Sequence, residues 1–447
     1  MRTLTISALA AGLFAVALPA QDTAELLNRM KAMEDRIKSL EAEVESLKAQ
    51  QGATPPGANT PAAPVPASTA AAAAPPAATP AEAVVQQAPG ALPNYGGAAA
   101  GASKVFNPDI SLIGDFLGGA GYGANRPTPS LEMHESELGL QAIIDPYARG
   151  DVFLTFGEQG VGLEEGYLTF TSLPGALQLK VGKMRAAFGR VNTMHNHVLP
   201  WTDRPLVTQD LAGGEDGIND AGLSISRIIP APEGLFLEGT AQLYRGDSEA
   251  VFRSTRRNDV SAVAHLRGYR DISESTNLDL GASYARGHSP FGDGSNQLYA
   301  VDATLRWKPL RRAIYRSFIA RSEFIRARTV VSDVAALSPR RTITPSGYYA
   351  SGEYQFGRRW FLGGRFDRSE RGACLPTVPS TTTACGPFIT RPLLQDTGGS
   401  LLLTYWPSEF SQIRGQLRRT SYGEGLTANE FLFQFVFSMG AHGAHPF

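Results

Sequence analysis

The chain has 447 residues and a formal net charge of −1. It is therefore too long for one small domain, and it lacks the basic excess of a nucleic-acid-binding protein. No segment after residue 20 has the roughly 18 consecutive apolar residues that a membrane-spanning helix needs. The mean hydropathy of −0.15 does not exclude a membrane protein, because a β-barrel directs half of each strand into a polar lumen.

Residues 1–20 have the pattern of a secretion signal peptide. Arg2 precedes an apolar run from about Ile6 to Leu18, and Ala20 marks the expected cleavage site. A secreted chain without a spanning helix can cross a membrane only as a closed barrel.

Residues 21–50 predict a coiled-coil helix. Apolar residues alternate four and three apart, which is the a/d seam of a heptad repeat. The seam consists of Leu26, Met30, Met33, Ile37, Leu40, Val44 and Leu47. A helix packed on its own barrel could carry a similar stripe, but the strict period of 3.5 favours an oligomer, and the seam residues lean towards a dimer.

Residues 51–104 are rich in proline and alanine, with almost no charge and few large apolar side chains. Such a segment cannot build a core, so we expect a disordered, partly polyproline-II linker.

Residues 105–447 predict an all-β transmembrane antiparallel barrel of about 16 strands. The expected strands are 108–117, 131–144, 148–157, 163–172, 176–184, 220–229, 234–245, 257–270, 275–287, 296–308, 314–327, 346–356, 359–368, 397–406, 411–420 and 429–439. Connections after even-numbered strands are short and most of the others are longer, an asymmetry typical of outer-membrane barrels. An even strand count places both ends of the barrel chain on the short-turn, periplasmic side.

The last predicted strand, Asn429–Met439, has an aromatic face and a polar face. The aromatic face carries Phe431, Phe433, Phe435 and Phe437, and the polar face carries Glu430, Gln434 and Ser438. We expect this strand to contact lipid and the barrel assembly machinery. A buried strand of a secreted sandwich is the alternative.

The segment Lys180–Gly189 follows the fifth predicted strand and resembles a motif of the phosphate-selective porin O and P family. The family pattern is roughly G-x-x-x-x-P-F-G; Gly182, Phe188 and Gly189 match it, and Ala187 replaces the proline. The resemblance covers this motif and the plan of signal peptide, coiled coil and barrel. It implies an outer-membrane porin for passive diffusion of small hydrophilic solutes, with the coiled coil in the periplasm of a Gram-negative-type bacterium. General porins are trimers, so we expect a homo-oligomer and favour a trimer over a dimer.

We expect loop 185–219 to narrow the pore and charged residues in the lumen to set its selectivity. The candidates are Lys180, Lys183, Arg185, Arg190, Asp203, Arg204, Asp210, Arg306, Arg365, Arg414 and Arg418. Low-dielectric walls focus the field of lumenal arginines, which favours anions. The lysine cluster of the family is missing, and Asp302 and Asp367 could neutralise the arginines, so the anion preference stays open.

Four histidines support a rival interpretation, a zinc-uptake barrel. They are His195, His197, His442 and His445. The first two, with Asp203 or Asp210, could hold zinc, for which neutral imidazole is a natural ligand. A pair spaced H-x-H is also common among solvated loop residues.

Two further expectations concern a disulfide and enzymatic activity. Cys374 and Cys385 would pair in an oxidising compartment and close an extracellular loop. The sequence has no nucleophile elbow, H-E-x-x-H helix or phosphate-binding loop, so we expect no enzyme. A structural barrel that uses the coiled coil as an envelope tether is a second functional class.

Overall fold

The computed structural model describes residues 31, 38, 108–122, 129–158, 160–248, 250–290, 294–331, 341–374 and 389–440. Seventeen antiparallel strands form one sheet. They are β1 (Asp109–Tyr122), β2 (Leu131–Asp145), β3 (Ala148–Gly157), β4 (Gly160–Leu173), β5 (Leu177–Arg185), β6 (Asn219–Ile229), β7 (Leu235–Tyr244), β8 (Ser261–Ser273), β9 (Thr276–His288), β10 (Ser295–Trp307), β11 (Ser317–Val331), β12 (Arg341–Ile343), β13 (Ser346–Gly357), β14 (Trp360–Cys374), β15 (Ile389–Ser408), β16 (Ser411–Ser421) and β17 (Thr427–Gly440). Within these ranges no helix is long and apolar enough to cross a membrane.

The sheet closes on itself, because β1 pairs with β2 on one side and with β17 on the other. The short strand β12 pairs with the end of β11, and β13 pairs with the rest of β11. These two strands share one position in the wall, so seventeen strands make a barrel of 16 positions. The predicted all-β antiparallel barrel of about 16 strands is confirmed.

The connections differ between the two ends of the barrel, as predicted. We call one the short-turn end, with joins such as 146–147, 274–275 and 409–410. The other is the long-loop end, where β5 and β6 are joined by residues 186–218. The join between β3 and β4 is short although it lies at the long-loop end, which the sequence also indicated.

Side chains alternate between the outer and the inner face of the wall. On β10, Tyr299 and Val301 are exposed, whereas Asp302 and Thr304 are buried inside. On β16, an inward row of polar residues is buried; it consists of Gln412, Arg414, Gln416 and Arg418. The last strand follows the same rule, with Phe431 exposed outside.

The main difference from the sequence prediction is the length of β14 and β15. Their ladder continues beyond a register shift to the pairs Ala373–Thr390 and Cys374–Ile389. Pro392 lies at this register shift, between the paired residues Thr390 and Leu394. The three-residue strand β12 was also not predicted.

Several expectations lie on residues that the structure does not describe. The signal peptide and the linker fall there, and of the heptad segment only Lys31 and Lys38 are described, both helical and exposed. Cys385 and the histidines His442 and His445 also lie outside the described residues. The coiled coil, the disulfide and the metal-binding tail therefore stay predictions.

Candidate functional site

Residues 186–218, here called the lumenal loop, fold into the barrel and contact inward-facing residues of its wall. The loop contains two 3₁₀ turns (Val191–Thr193 and Asn196–Val198) and one short helix, α1 (Leu206–Leu211). Its contacts reach β2 and β4 on one wall and β11, β14 and β16 on the other. It is therefore a crosspiece rather than a surface loop.

The contacts at the start of the loop explain why the last residue of the Lys180–Gly189 motif is a glycine. Gly189 has a φ of +59°, and its N–H donates to the Ser283 hydroxyl at 2.9 Å. A Cβ at this position would collide with Oε1 of Glu323, so only glycine fits without displacement. Glu323 also accepts hydrogen bonds from the backbone N–H groups of Arg190 and Val191.

An apolar side of the loop is buried against the wall. The loop contributes Phe188, Val191, Trp201, Val207 and Ile218. The wall contributes Tyr244, Leu298, Ile325, Tyr349 and Leu402. The rings of Trp201 and Tyr349 meet edge to face, with centroids 5.0 Å apart. Full burial of one such side chain stabilises by about 1.5–3 kcal/mol, so the loop has a core of its own inside the barrel.

The carboxylate of Asp203 is held by three donors, and we call this arrangement the Asp203 clamp. Arg365 donates to it at 2.9 Å, Arg418 at 2.6 Å and Gln416 at 2.5 Å. Burial would raise the pKa of Asp203, but the charges of Arg365 and Arg418 hold that pKa well below its usual range. The clamp ties the middle of the loop to β14 and β16.

The arginines of the clamp also have carboxylate partners in the wall. Arg365 bonds Asp367 at 2.6 Å, and Arg418 bonds Glu430 at 3.0 Å. Arg414, on the same face of β16, donates to the Leu199 carbonyl at 2.9 Å. All three arginines brace the loop, and carboxylates balance the charges of Arg365 and Arg418.

Arg204 holds the loop from within, and Arg185 holds it from β5 by donating to the Glu215 carbonyl at 2.9 Å. Arg204 donates to the carbonyl of Met194 at 2.7 Å and to Oδ1 of Asn196 at 2.9 Å. Burial, with the charge of Arg185 nearby, lowers the pKa of Arg204 to about 10. Arg185, at the end of β5, pairs with Glu164 at 2.6 Å.

The first half of the loop lies against a group of carboxylates on β2 and β4. This carboxylate–histidine cluster consists of Glu135, Glu137, Glu164, Glu165, His195 and His197. His195 bridges two of the acids, with Nδ1 2.6 Å from Glu137 and Nε2 2.8 Å from Glu165. Burial would lower the pKa of His195, but these hydrogen bonds and the charge of Glu137 raise it to about 10.

On the opposite wall, three arginines converge on Asp279, and we call them the arginine group. Arg267 bonds Asp279 at 2.7 Å, while Arg306 and Arg190 approach it to 3.7 and 4.0 Å. Their side chains keep exposures of 35%, 22% and 26%, against 5% for Asp279. Guanidinium groups therefore face the lumen here, in front of a buried carboxylate.

A cavity of about 960 Å³ lies at the long-loop end, between the lumenal loop and the wall strands β1–β4, β16 and β17. Acidic residues outnumber basic ones in its lining; they are Glu132, Glu135, Glu158, Asp203 and Glu215, against Arg204, Arg418 and His134, which pairs with Glu215. The two sides of the loop thus meet surfaces of different charge.

The remaining sequence candidates lie apart from these groups. Lys180 stacks on the ring of Tyr167, with Nζ 4.5 Å from the centroid. Lys183 donates to the Leu163 carbonyl at 2.5 Å. Asp210 lies on α1, which contacts β11, β13, β14 and β15.

The structure corrects the acid partners that the sequence suggested for the histidine pair. Asp203 belongs to the clamp, and the neighbours of His195 and His197 come from β2 and β4. Sequence reasoning missed Glu135 and Glu137, although their shared parity on β2 places both on the inner face. It also missed Arg267, whose partner Asp279 comes from the next strand.

Comparisons with known proteins support the fold. No family model matches the chain. An uncharacterized protein of Aquifex aeolicus is 29% identical over 398 residues, covering 77% of this chain and 81% of that protein. The structure of OprB from Pseudomonas putida matches with a TM-score of 0.50 and 11% identity over 76% of this chain and 95% of OprB. An anion-selective porin from Comamonas acidovorans matches with a TM-score of 0.49 and 10% identity, over 74% of this chain and all of that one. In its fold, the chain resembles the bacterial outer-membrane porins.

Proposed function

We propose that the chain forms an outer-membrane channel through which small hydrophilic solutes diffuse passively, with the lumenal loop as the constriction. The observation that carries this proposal is the loop itself, which crosses a closed barrel and is fastened to both walls. The Asp203 clamp fixes one side, and the carboxylate–histidine cluster meets the other. A rigid crosspiece narrows a pore reproducibly, because the pore width does not depend on a fluctuating segment.

The apolar outer face supports a position in lipid. Exposed side chains on the wall include Val301, Leu401, Leu403 and Phe431, and such side chains are expected on the lipid-facing side of an outer-membrane barrel. The short-turn end would then face the periplasm, the compartment that we also propose for residues 21–104.

We propose weak ion selectivity instead of a marked anion preference. Arg365, Arg414 and Arg418, which the sequence suggested as anion attractors, are occupied by carboxylates or by the loop backbone. The arginine group attracts anions near the short-turn end, while the acidic cavity at the long-loop end attracts cations. Opposite fields in series partly cancel for a small ion that must pass both.

Two measurements on proteoliposomes test this function. Liposome swelling with neutral sugars of increasing size should show uptake that falls with solute size, as a fixed constriction requires. Reversal potentials under a KCl gradient should lie near zero. Liposomes with folded protein that admit no sugar would refute the channel, and a strong anion preference would refute the charge argument alone.

A further inference from the structure

The carboxylate–histidine cluster concentrates metal-ligand atoms at one place in the lumen. Glu135 and Glu137 project inward from β2, Glu164 from β4, and His195 and His197 from the loop. Ligand atoms of Glu137, His195 and His197 all lie within 4.8 Å of one another, and so do those of Glu135, Glu137 and Glu164. The two sets share Glu137, so the five side chains surround one small region.

Some of these atoms are buried without a partner. Within the described ranges, Nδ1 of His197, Oε1 of Glu135 and Oε2 of Glu164 have no hydrogen-bond partner. The side chains of His197 and Glu164 are only 5% and 7% exposed. Nδ1 of His197 lies 3.6 Å from Glu137 and 3.9 Å from Glu135, so it points into the cluster.

Leaving such groups unsatisfied is costly, because a buried polar or charged atom loses its hydration. Glu135, Glu137 and Glu164 also repel one another; His195 balances Glu137 in part, and Arg185 reaches only the far oxygen of Glu164, Oε1. A bound cation would satisfy the open atoms and balance the carboxylates in a single step.

We propose that the cluster binds one divalent transition-metal cation of the zinc class, with Glu135, Glu137, Glu164 and His197 as its ligands. Mixed imidazole and carboxylate donors suit such ions, whereas calcium and magnesium prefer oxygen alone. His195 lies beside the site and is itself held by Glu165.

Neighbouring side chains already orient the ligands, as around known metal sites. Asn196 approaches Oε2 of Glu135 at 3.3 Å, and Arg185 holds Oε1 of Glu164 at 2.6 Å. In both carboxylates the other oxygen is the one that lacks a partner. The bound ion would fasten the histidine end of the lumenal loop to β2 and β4, in addition to its attachment to β14 and β16 through the Asp203 clamp.

This site does not depend on the proposed channel function. Zinc binding can be measured on protein in detergent, whether or not the barrel conducts. The full-length protein is stripped with a chelator, desalted and titrated with Zn²⁺ in a calorimeter, with metal content as a check. We expect about one Zn²⁺ per chain. The double variant Glu137→Gln/His197→Gln should bind at least about tenfold more weakly.

Two control variants locate the bound metal. His265→Gln removes a lumenal histidine on β8 that bonds Ser283, and His442→Gln/His445→Gln removes the histidines of the tail. Both should bind Zn²⁺ as the wild type does. Folding of each variant is checked by heat-modifiable migration on gels. If the double variant does not fold, Glu135→Gln replaces it, with the same expected loss.

Three results would overturn the site. Folded wild-type protein that takes up no Zn²⁺ would do so, as would unchanged affinity in the folded double variant or in Glu135→Gln. Binding that disappears only in the tail variant would assign the metal to the C-terminus instead.

Discussion

Replacing Asp203 with asparagine should weaken the attachment of the lumenal loop. The substituted amide would keep the shape of the side chain but lose the charge that faces Arg365 and Arg418. Hydrogen bonds that involve a charged group contribute about 1.5–3 kcal/mol each. Removing one partner of a buried ion pair can cost about 3–5 kcal/mol, because the other charge is left alone.

The expected loss lies below that range, because neither arginine becomes isolated. Arg365 keeps Asp367 at 2.6 Å, and Arg418 keeps Glu430 at 3.0 Å. We therefore expect Asp203→Asn to lower the free energy of unfolding by about 2–3 kcal/mol. Urea unfolding in detergent, followed by tryptophan fluorescence, measures this difference, since Trp201 lies in the same part of the loop.

The matched control is Asp216→Asn, the same chemical change at an exposed position of the same loop. It should change the free energy of unfolding by less than about 0.5 kcal/mol, as is usual for surface substitutions. Equal effects of the two substitutions, or no effect of Asp203→Asn, would refute the clamp.

The pH dependence gives an independent check on the same carboxylate. The pKa of Asp203 is depressed in the folded state, so its contribution is fully present above the ordinary aspartate pKa of about 3.9. It is lost as the pH falls below that value towards the folded-state pKa. The stability difference between wild type and Asp203→Asn should therefore be constant near neutral pH and shrink below about pH 4. A difference that grows on acidification would contradict the assignment.

Three further predictions follow from the lumen and the N-terminal segment. Gly189→Ala should destabilise by at least about 1–2 kcal/mol in urea unfolding, because of its left-handed φ and the collision of the added Cβ with the Glu323 carboxylate. Gly399→Ala should not destabilise the protein, because no atom lies within 4 Å of a Cβ added at that position. Equal effects of the two substitutions would disprove the steric argument. Arg306→Gln should shift the KCl reversal potential towards cations, whereas Arg311→Gln, in an exposed turn, should leave it unchanged; the opposite pattern would contradict a role of the arginine group. Deleting residues 22–104 should leave single-channel conductance unchanged if the barrel alone is the channel, and lost conductance in a folded barrel would show otherwise.

The wall of the barrel could be predicted from sequence because each strand has its own alternation of inward and outward residues. A residue's parity on a strand decides whether it faces in or out, as on β16, where Gln412 to Arg418 alternate between buried and outward positions. The lengths of the connections, which are also a local property of the sequence, distinguished the two ends of the barrel. Where pairing extends past such local signals, as at the ends of β14 and β15, the prediction stopped too early.

The interior of the lumen could be predicted only in part, because its contacts join residues far apart in the chain. The sequence placed a charged loop after the fifth strand and named Asp203, Arg365 and Arg418. It could not show that these three meet, since 162 positions separate Asp203 from Arg365. For the same reason it assigned the histidine pair to acids of the loop rather than to Glu135 and Glu137.

The most direct test of the account compares the single-channel conductance of the wild-type barrel with that of a barrel whose residues 190–215 are replaced by a short Gly-Ser turn. This deletion removes the crosspiece and keeps the wall. We expect small, uniform openings in the wild type and a severalfold larger conductance after the deletion, because the constriction is gone. Equal conductance of the two folded proteins would contradict the central claim that the lumenal loop sets the width of the pore.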